Sequence, residues 1–222
     1  MLRKGISTVV SAVLIVVIVL GLSGTAYIWG TPLIQKRQEA SVTENVFTLF
    51  SQTNQNSLPK MIEDVANNKG VKTFKINTDG IWKLNQNEDS IEFTFTSKTS
   101  NIAAGTAFPI SLTSGVQCTG TDPYPNYPSP KNGTLGKDSA SVVCVKSTQG
   151  DVFTITYKIW FRELYDNPFS PSANGFKIDL IQDPAGLATS TGRTVGITFL
   201  DSATETTASI TLIKKQIKIL LV

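Results

Sequence analysis

The chain contains no histidine. That absence removes the commonest general base, the commonest zinc ligand and every Ser-His or Cys-His nucleophile, so the familiar hydrolase mechanisms have nothing to run on. Cysteine is nearly absent as well: the two present, Cys118 and Cys144, fall short of the four ligands a structural zinc wants. Charge is scarce, at 17% of residues against about 25% in typical soluble domains. The 20 basic and 17 acidic side chains leave a balance of +3, spread too thinly to give a nucleic-acid footprint. No phosphate-cradling Gly-rich loop, nucleophile elbow or metal-ligand cluster is found. The residues therefore imply neither an enzyme nor a cofactor, and no nucleic-acid partner.

What is abundant is apolar and uncharged polar. The chain has 222 residues, 41% of them hydrophobic, enough for one sizeable core plus an appendage. Ser and Thr make up about a fifth, a composition that suits strands with a polar but uncharged surface. From residue 6 to residue 35 there is no acidic or basic side chain, and residues 9–20 are almost purely Val, Ile, Leu and Ala. A helix over residues 6–29 would be roughly 36 Å long at about 1.5 Å per residue, slightly more than the roughly 30 Å hydrocarbon thickness of a bilayer. Tyr27 and Trp29 stand at its far end, where amphipathic rings prefer the headgroup region, and Gly30, Pro32, Lys36 and Arg37 follow. Arg3 and Lys4 precede it, which by the positive-inside rule puts the N-terminus inside and the bulk of the chain outside.

Three readings of this segment compete. An uncleaved signal anchor needs only the hydrophobicity. A secretory signal peptide would use the small residues Gly24 and Ala26 for cleavage after Ala26, leaving a partly apolar mature N-terminus. The third rests on the run Arg3-Lys4-Gly5-Ile6-Ser7-Thr8-Val9-Val10-Ser11-Ala12, in which a very short basic leader ends in Gly directly before the apolar stretch. This resembles the class III signal of archaeal type IV pilins. The resemblance implies that a prepilin peptidase reads Lys4, cuts after Gly5 and makes Ile6 the new N-terminus, the helix staying in the mature protein. Losing Arg3 and Lys4 would bring the side-chain charge from +3 to +1 and free the helix end from the cytoplasmic interface. Residues 6–11 lack the early Glu of bacterial type IV pilins and archaeal flagellins, which argues against the flagellin branch. The resemblance covers about the first 35 residues. Gly21, Ser23, Gly24 and Ala26 supply the small side chains that let membrane-type helices approach closely.

Beyond Pro32 the spacing Val42, Val46, Leu49, Phe50 predicts an amphipathic continuation, and Pro59 opens a second short helix that carries Met61, Ile62 and Val65 and closes at Lys69-Gly70. From Val71 the period changes to alternation. Ile91, Phe93 and Phe95 form one half-buried strand, and Phe153, Ile155, Tyr157, Ile159 and Phe161 another. Further strands are expected at 71–76, 80–84, 142–146, 176–181, 194–199 and 207–213. Residues 214–222 form either a core strand or an element that adds to a neighbouring subunit. The whole predicts an α+β architecture: leader 1–5, hydrophobic helix 6–30, helical stalk 31–70, and an extracellular antiparallel β-sandwich of Ig-like type over 71–222.

Several side chains invite a site. Cys118 and Cys144 bracket 25 residues, and a disulfide between them would contribute roughly 3 to 4 kcal/mol in an oxidising compartment; two unpaired core thiols are the alternative. Asn132-Gly133-Thr134 is a glycosylation sequon inside that loop. Tyr124 and Tyr127 stand in a Pro-rich stretch, as a contact surface for subunits or simply a solvated connection. Glu88-Asp89, Glu163 with Asp166, and Asn85, Asn87 and Asp89 could respectively supply paired carboxylates or calcium ligands, although they sit at turns where acidic side chains commonly face water. Function is therefore expected from placement: a filament subunit assembled from identical copies, membrane-inserted beforehand and serving adhesion. A membrane-anchored binding module that stays monomeric and a secreted hydrolase are the competing classes.

Overall fold

The structure, a computed structural model, describes residues 3–110, 117–119, 124–126, 133–167, 173–207 and 210–222. The chain divides into two compact units, Met1–Ser41 and Val42–Val222.

Helix α1 spans Arg3–Phe50 without a break. The helical continuation expected beyond Pro32 is present, although Pro32 removes the N–H that would bond the Ile28 carbonyl. The hydroxyl of Thr31 donates to the Tyr27 carbonyl at 2.7 Å, which satisfies one acceptor in that turn. The last turns of α1 belong to the second unit, where Thr43, Val46 and Phe50 are fully buried. Their spacing marks one helical face. Of the expected stripe Val46 and Phe50 are core, Leu49 packs at its margin, and Val42 stays 39% exposed.

Helix α2 covers Leu58–Asn68. Ser57 precedes it in an extended conformation, Pro59 sits in its first turn where no N–H is needed, and Lys69 turns left-handed to end it, donating its N–H to the Val65 carbonyl at 3.0 Å. Leu58, Ile62, Val65 and Ala66 form its buried face.

Among the described residues fourteen strands follow: β1 Val71–Lys75, β2 Ile81–Asn85, β3 Ser90–Ser97, β4 Phe108–Pro109, β5 Gln117–Thr119, β6 Tyr124–Asn126, β7 Gly133–Thr134, β8 Ser141–Gln149, β9 Phe153–Phe161, β10 Leu164–Tyr165, β11 Asn174–Gln182, β12 Thr189–Ser190, β13 Thr194–Thr207 and β14 Ile210–Leu221. One six-stranded sheet runs β1-β13-β14-β11-β10-β7, a second runs β12-β2-β3-β9-β8-β4, and β5 pairs with β6 alone. The second sheet is antiparallel throughout, whereas the first contains parallel pairs of β11 with β14 and of β10 with β7. The expected all-antiparallel sandwich is thus an antiparallel-rich pair of sheets. Alternation along a strand reports which face is apolar and carries no information about a neighbour's direction, so the parallel pairs were not readable from it.

The C-terminal segment is a single strand from residue 210, not two elements meeting near 213. It lies inside its sheet with β13 on one side and β11 on the other, so positions 211–219 have both edges occupied. The segment is a core strand of its own sheet, with Ile217, Ile219 and Leu221 buried.

One core takes side chains from both sheets, α2 and the end of α1. At its centre the Phe50 ring stacks on Tyr157 at 4.6 Å between centroids and lies about equally far, at 6.1 and 6.0 Å, from Trp82 and Phe93. Behind β8 and β9 a second, small cluster forms from Ala107, Cys118, Cys144 and Trp160. The outward side of that strand pair is therefore covered here, which alternation alone would have assigned to water.

Candidate functional site: the exposed apolar helix

Along α1 the eleven large apolar side chains between Val9 and Leu22 keep 52% to 66% of their surface exposed. Each such side chain gains about 1.5–3 kcal/mol on full burial; since the helix already shields part of each, the set represents on the order of 10–20 kcal/mol awaiting an apolar environment. No water-facing stripe interrupts it, for the exposed residues lie all round the helix. A helix apolar on every side belongs in a bilayer or among other apolar helices. Val9–Phe50 contains a window long and apolar enough to cross a membrane.

The backbone polar groups suit that setting. A helix pairs its interior N–H and C=O groups within itself, and the Thr25 hydroxyl near the span's end donates to the Gly21 carbonyl at 2.8 Å. Tyr27 and Trp29 are 74% and 80% exposed. They give the apolar stretch its amphipathic end.

Gly21, Ser23, Gly24 and Ala26 are all exposed, and a methyl group added at either glycine would meet nothing within 4 Å. At about 100° per residue they do not make one patch. Gly21 and Gly24 lie roughly 60° apart on one side, and Ser23 and Ala26 roughly 60° apart on nearly the opposite side. The helix thus has two notches. Lys4, Gly5 and Ile6 lie within the first turns of α1.

The other sequence candidates separate. Cys118 and Cys144 form a disulfide that joins β5 to β8, with Cα atoms 6.1 Å apart. Tyr124 lies in β6, opposite Thr119. Tyr127 and Asn132 lie outside the described residues.

The acidic pairs go different ways. Glu88 and Glu92 both reach the Lys158 ammonium, at 3.1 and 2.9 Å, and that ammonium lies 4.6 Å from the Trp160 ring centroid. Glu163 accepts from the Tyr165 hydroxyl at 2.7 Å, whereas Asp166 takes the Asn174 amide at 3.0 Å. Asn85 accepts from the Asn87 backbone N–H, and Asp89 turns instead to Lys177 at 2.7 Å, so these three do not converge as cation ligands. Among the described residues no group of three or more Cys, Asp or Glu is placed to hold a metal.

One buried polar network escaped the sequence. Glu63 on α2 accepts from the Ser139 hydroxyl at 2.6 Å, the Ser141 hydroxyl at 2.6 Å and the Ser141 backbone N–H at 3.0 Å, while Lys60 reaches its other oxygen at 2.8 Å. Gln52, just past α1, donates to the Ser141 hydroxyl at 2.9 Å. Burial pushes the Glu63 carboxyl up, but the donors from Lys60, Ser139 and Ser141 outweigh it and hold the group below the usual carboxylate value. The neighbouring cavity of about 250 Å³ is lined by Lys60, Glu63, Asp138 and Ser139 among others. Its carboxylate is already engaged on both oxygens. Nothing in the sequence separates Glu63 from a solvated helix residue, because its partners lie nearly eighty residues away.

No protein-family profile, curated protein or solved structure matches the chain.

Proposed function

We propose that the chain is the structural subunit of a surface filament of the archaeal type IV pilus kind. The resemblance of residues 3–15 to a class III signal supplies the processing route: a prepilin peptidase cuts between Gly5 and Ile6, and the helix remains. The observation that carries the reading is the apolar surface of α1, left exposed on every side. Before assembly a bilayer covers it; in the filament, identical helices do. Two small-residue notches on nearly opposite sides suit a bundle in which each helix has neighbours on both flanks, whereas a simple pair needs one. The strand-rich unit, in this reading an Ig-like sandwich, coats the filament outside the cell and serves adhesion. Its disulfide is consistent with an oxidising exterior.

Electron microscopy of material sheared from cells, combined with N-terminal sequencing, tests this. Filaments whose subunit begins at Ile6 support it. A monomer that stays in the membrane and begins at Met1 replaces it with a membrane-anchored binding module, and a soluble product beginning at Tyr27 removes both.

A further inference from the structure

Strand β11 pairs with β10 only through Gly175 and Phe176, so beyond them its edge is open. Asp89 fills that edge from the other sheet. It sits in the turn between β2 and β3 with a left-handed φ of 48°, retains 8% of its surface, and its backbone carbonyl accepts from the Phe161 N–H at 3.1 Å. One carboxylate oxygen, Oδ1, accepts from the Leu180 N–H at 3.0 Å; the other, Oδ2, lies 2.7 Å from the Lys177 ammonium. Two residues along the same face of β11, Asp179 Oδ1 is buried and lies 3.4 Å from that ammonium, a longer approach than that of Asp89 Oδ2.

A primary amine, a buried carboxyl and a second carboxylate are the parts of an amide-forming site. We propose that Lys177 and Asp89 condense into an isopeptide bond, with Asp179 as the proton acceptor. Asp179 Oδ1 takes a proton from Nζ, and the free amine attacks Asp89 Cγ. The Leu180 N–H holds the oxygen on which negative charge develops, as a backbone donor does in an oxyanion hole. The Nζ–Cγ bond forms, the Cγ–Oδ2 bond breaks, and Oδ2 leaves as water after receiving the transferred proton and the second Nζ proton. One ammonium and one carboxylate become one amide and one water, with no oxidant or co-reactant.

The environment bears on each step. Burial pushes the Asp89 carboxyl above its usual value in spite of Lys177 and Leu180, which favours the neutral acid that can lose water. Burial lowers the Lys177 ammonium, but Asp89 and Asp179 raise it further, so proton removal must precede attack. The bond would fasten the β2–β3 turn of one sheet to β11 of the other. Such a fastening resists exactly the separation of sheets that tension along a displayed domain would cause.

Peptide mapping of the full-length chain, purified in detergent, reduced and digested with trypsin, decides the matter. The expected result is a joined pair of peptides, one holding Asp89 and one holding Lys177, lighter than their sum by one water, with no cleavage after Lys177. Quantitative recovery of linear peptides cut after Lys177 overturns the proposal, whatever any variant does. Lys177→Arg keeps the cation and abolishes the link; Asp179→Asn lowers the joined fraction at early times by on the order of 100-fold, the usual effect of losing a general base. A joined fraction unchanged in Asp179→Asn removes Asp179 from the mechanism.

Discussion

Replacing Phe50 by Ala tests whether the end of α1 is part of the domain's core. The side chain is fully buried, and its ring stacks on Tyr157 with Trp82 and Phe93 about 6 Å away. Truncating a buried Phe costs about 3–5 kcal/mol from lost transfer energy and the cavity left behind. Ring pairs add about 0.5–1.5 kcal/mol each beyond area, so the upper part of that range is expected here. Four kcal/mol is a large share of the total stability of a domain, about 5–15 kcal/mol. Urea unfolding of the full chain in detergent micelles, followed by tryptophan fluorescence, reads it directly because Trp82 is one of the ring's neighbours. Leu33→Ala on the same helix is the control: Leu33 is 58% exposed, and its loss should move the domain transition by less than about 0.5 kcal/mol. A Phe50→Ala midpoint within about 1 kcal/mol of wild type would refute the placement of α1's last turn in the core.

Other outcomes follow from the same geometry. Glu63 has its pKa below the unfolded value, so its contribution to stability is complete above about pH 4.5 and is lost as pH falls through the lower folded value; Glu63→Gln should flatten that acid limb in a pH series of unfolding midpoints and cost about 1–3 kcal/mol at neutral pH. Reducing the Cys118–Cys144 disulfide should lower stability by roughly 3 kcal/mol, checked by unfolding with and without reductant, with no change in the spectrum of the native state. A Cβ at Gly80 would collide with the Phe93 ring and sit 2.7 Å from the Thr94 carbonyl oxygen, so Gly80→Ala should destabilise by about 1–3 kcal/mol in the same assay. A Cβ at Gly24, in contrast, meets nothing within 4 Å; Gly24→Ile should leave the unfolding curve unchanged while reducing the yield of sheared filaments, and an unaltered yield would remove the notch from the assembly.

Much of the secondary structure was legible because it is written in local periods. The apolar run through residues 9–22, the face of α2 and the alternation along β3 each depend on neighbours three or four residues, or two residues, away, and the structure places them as the pattern predicts; along β9 the alternation marks the core side, but Lys158 and Trp160 on the other side are buried as well. The disulfide was legible for a different reason, since two cysteines allow one intramolecular pairing. The structure alone decided what depends on distant partners. It set the parallel pairing of β11 with β14, which occupies both edges of the C-terminal strand. It also covered the outward face of β8 and β9. The meeting of Glu63 with Ser139 and Ser141, and of Asp89 with Lys177, likewise joins residues some eighty positions apart. A chain records its local hydrogen-bonding and burial preferences residue by residue, but which charged side chains are desolvated together is fixed only when sheets and helices pack. By itself, then, the sequence determined an apolar helix and a set of strands, and packing determined which polar groups the strands would bury.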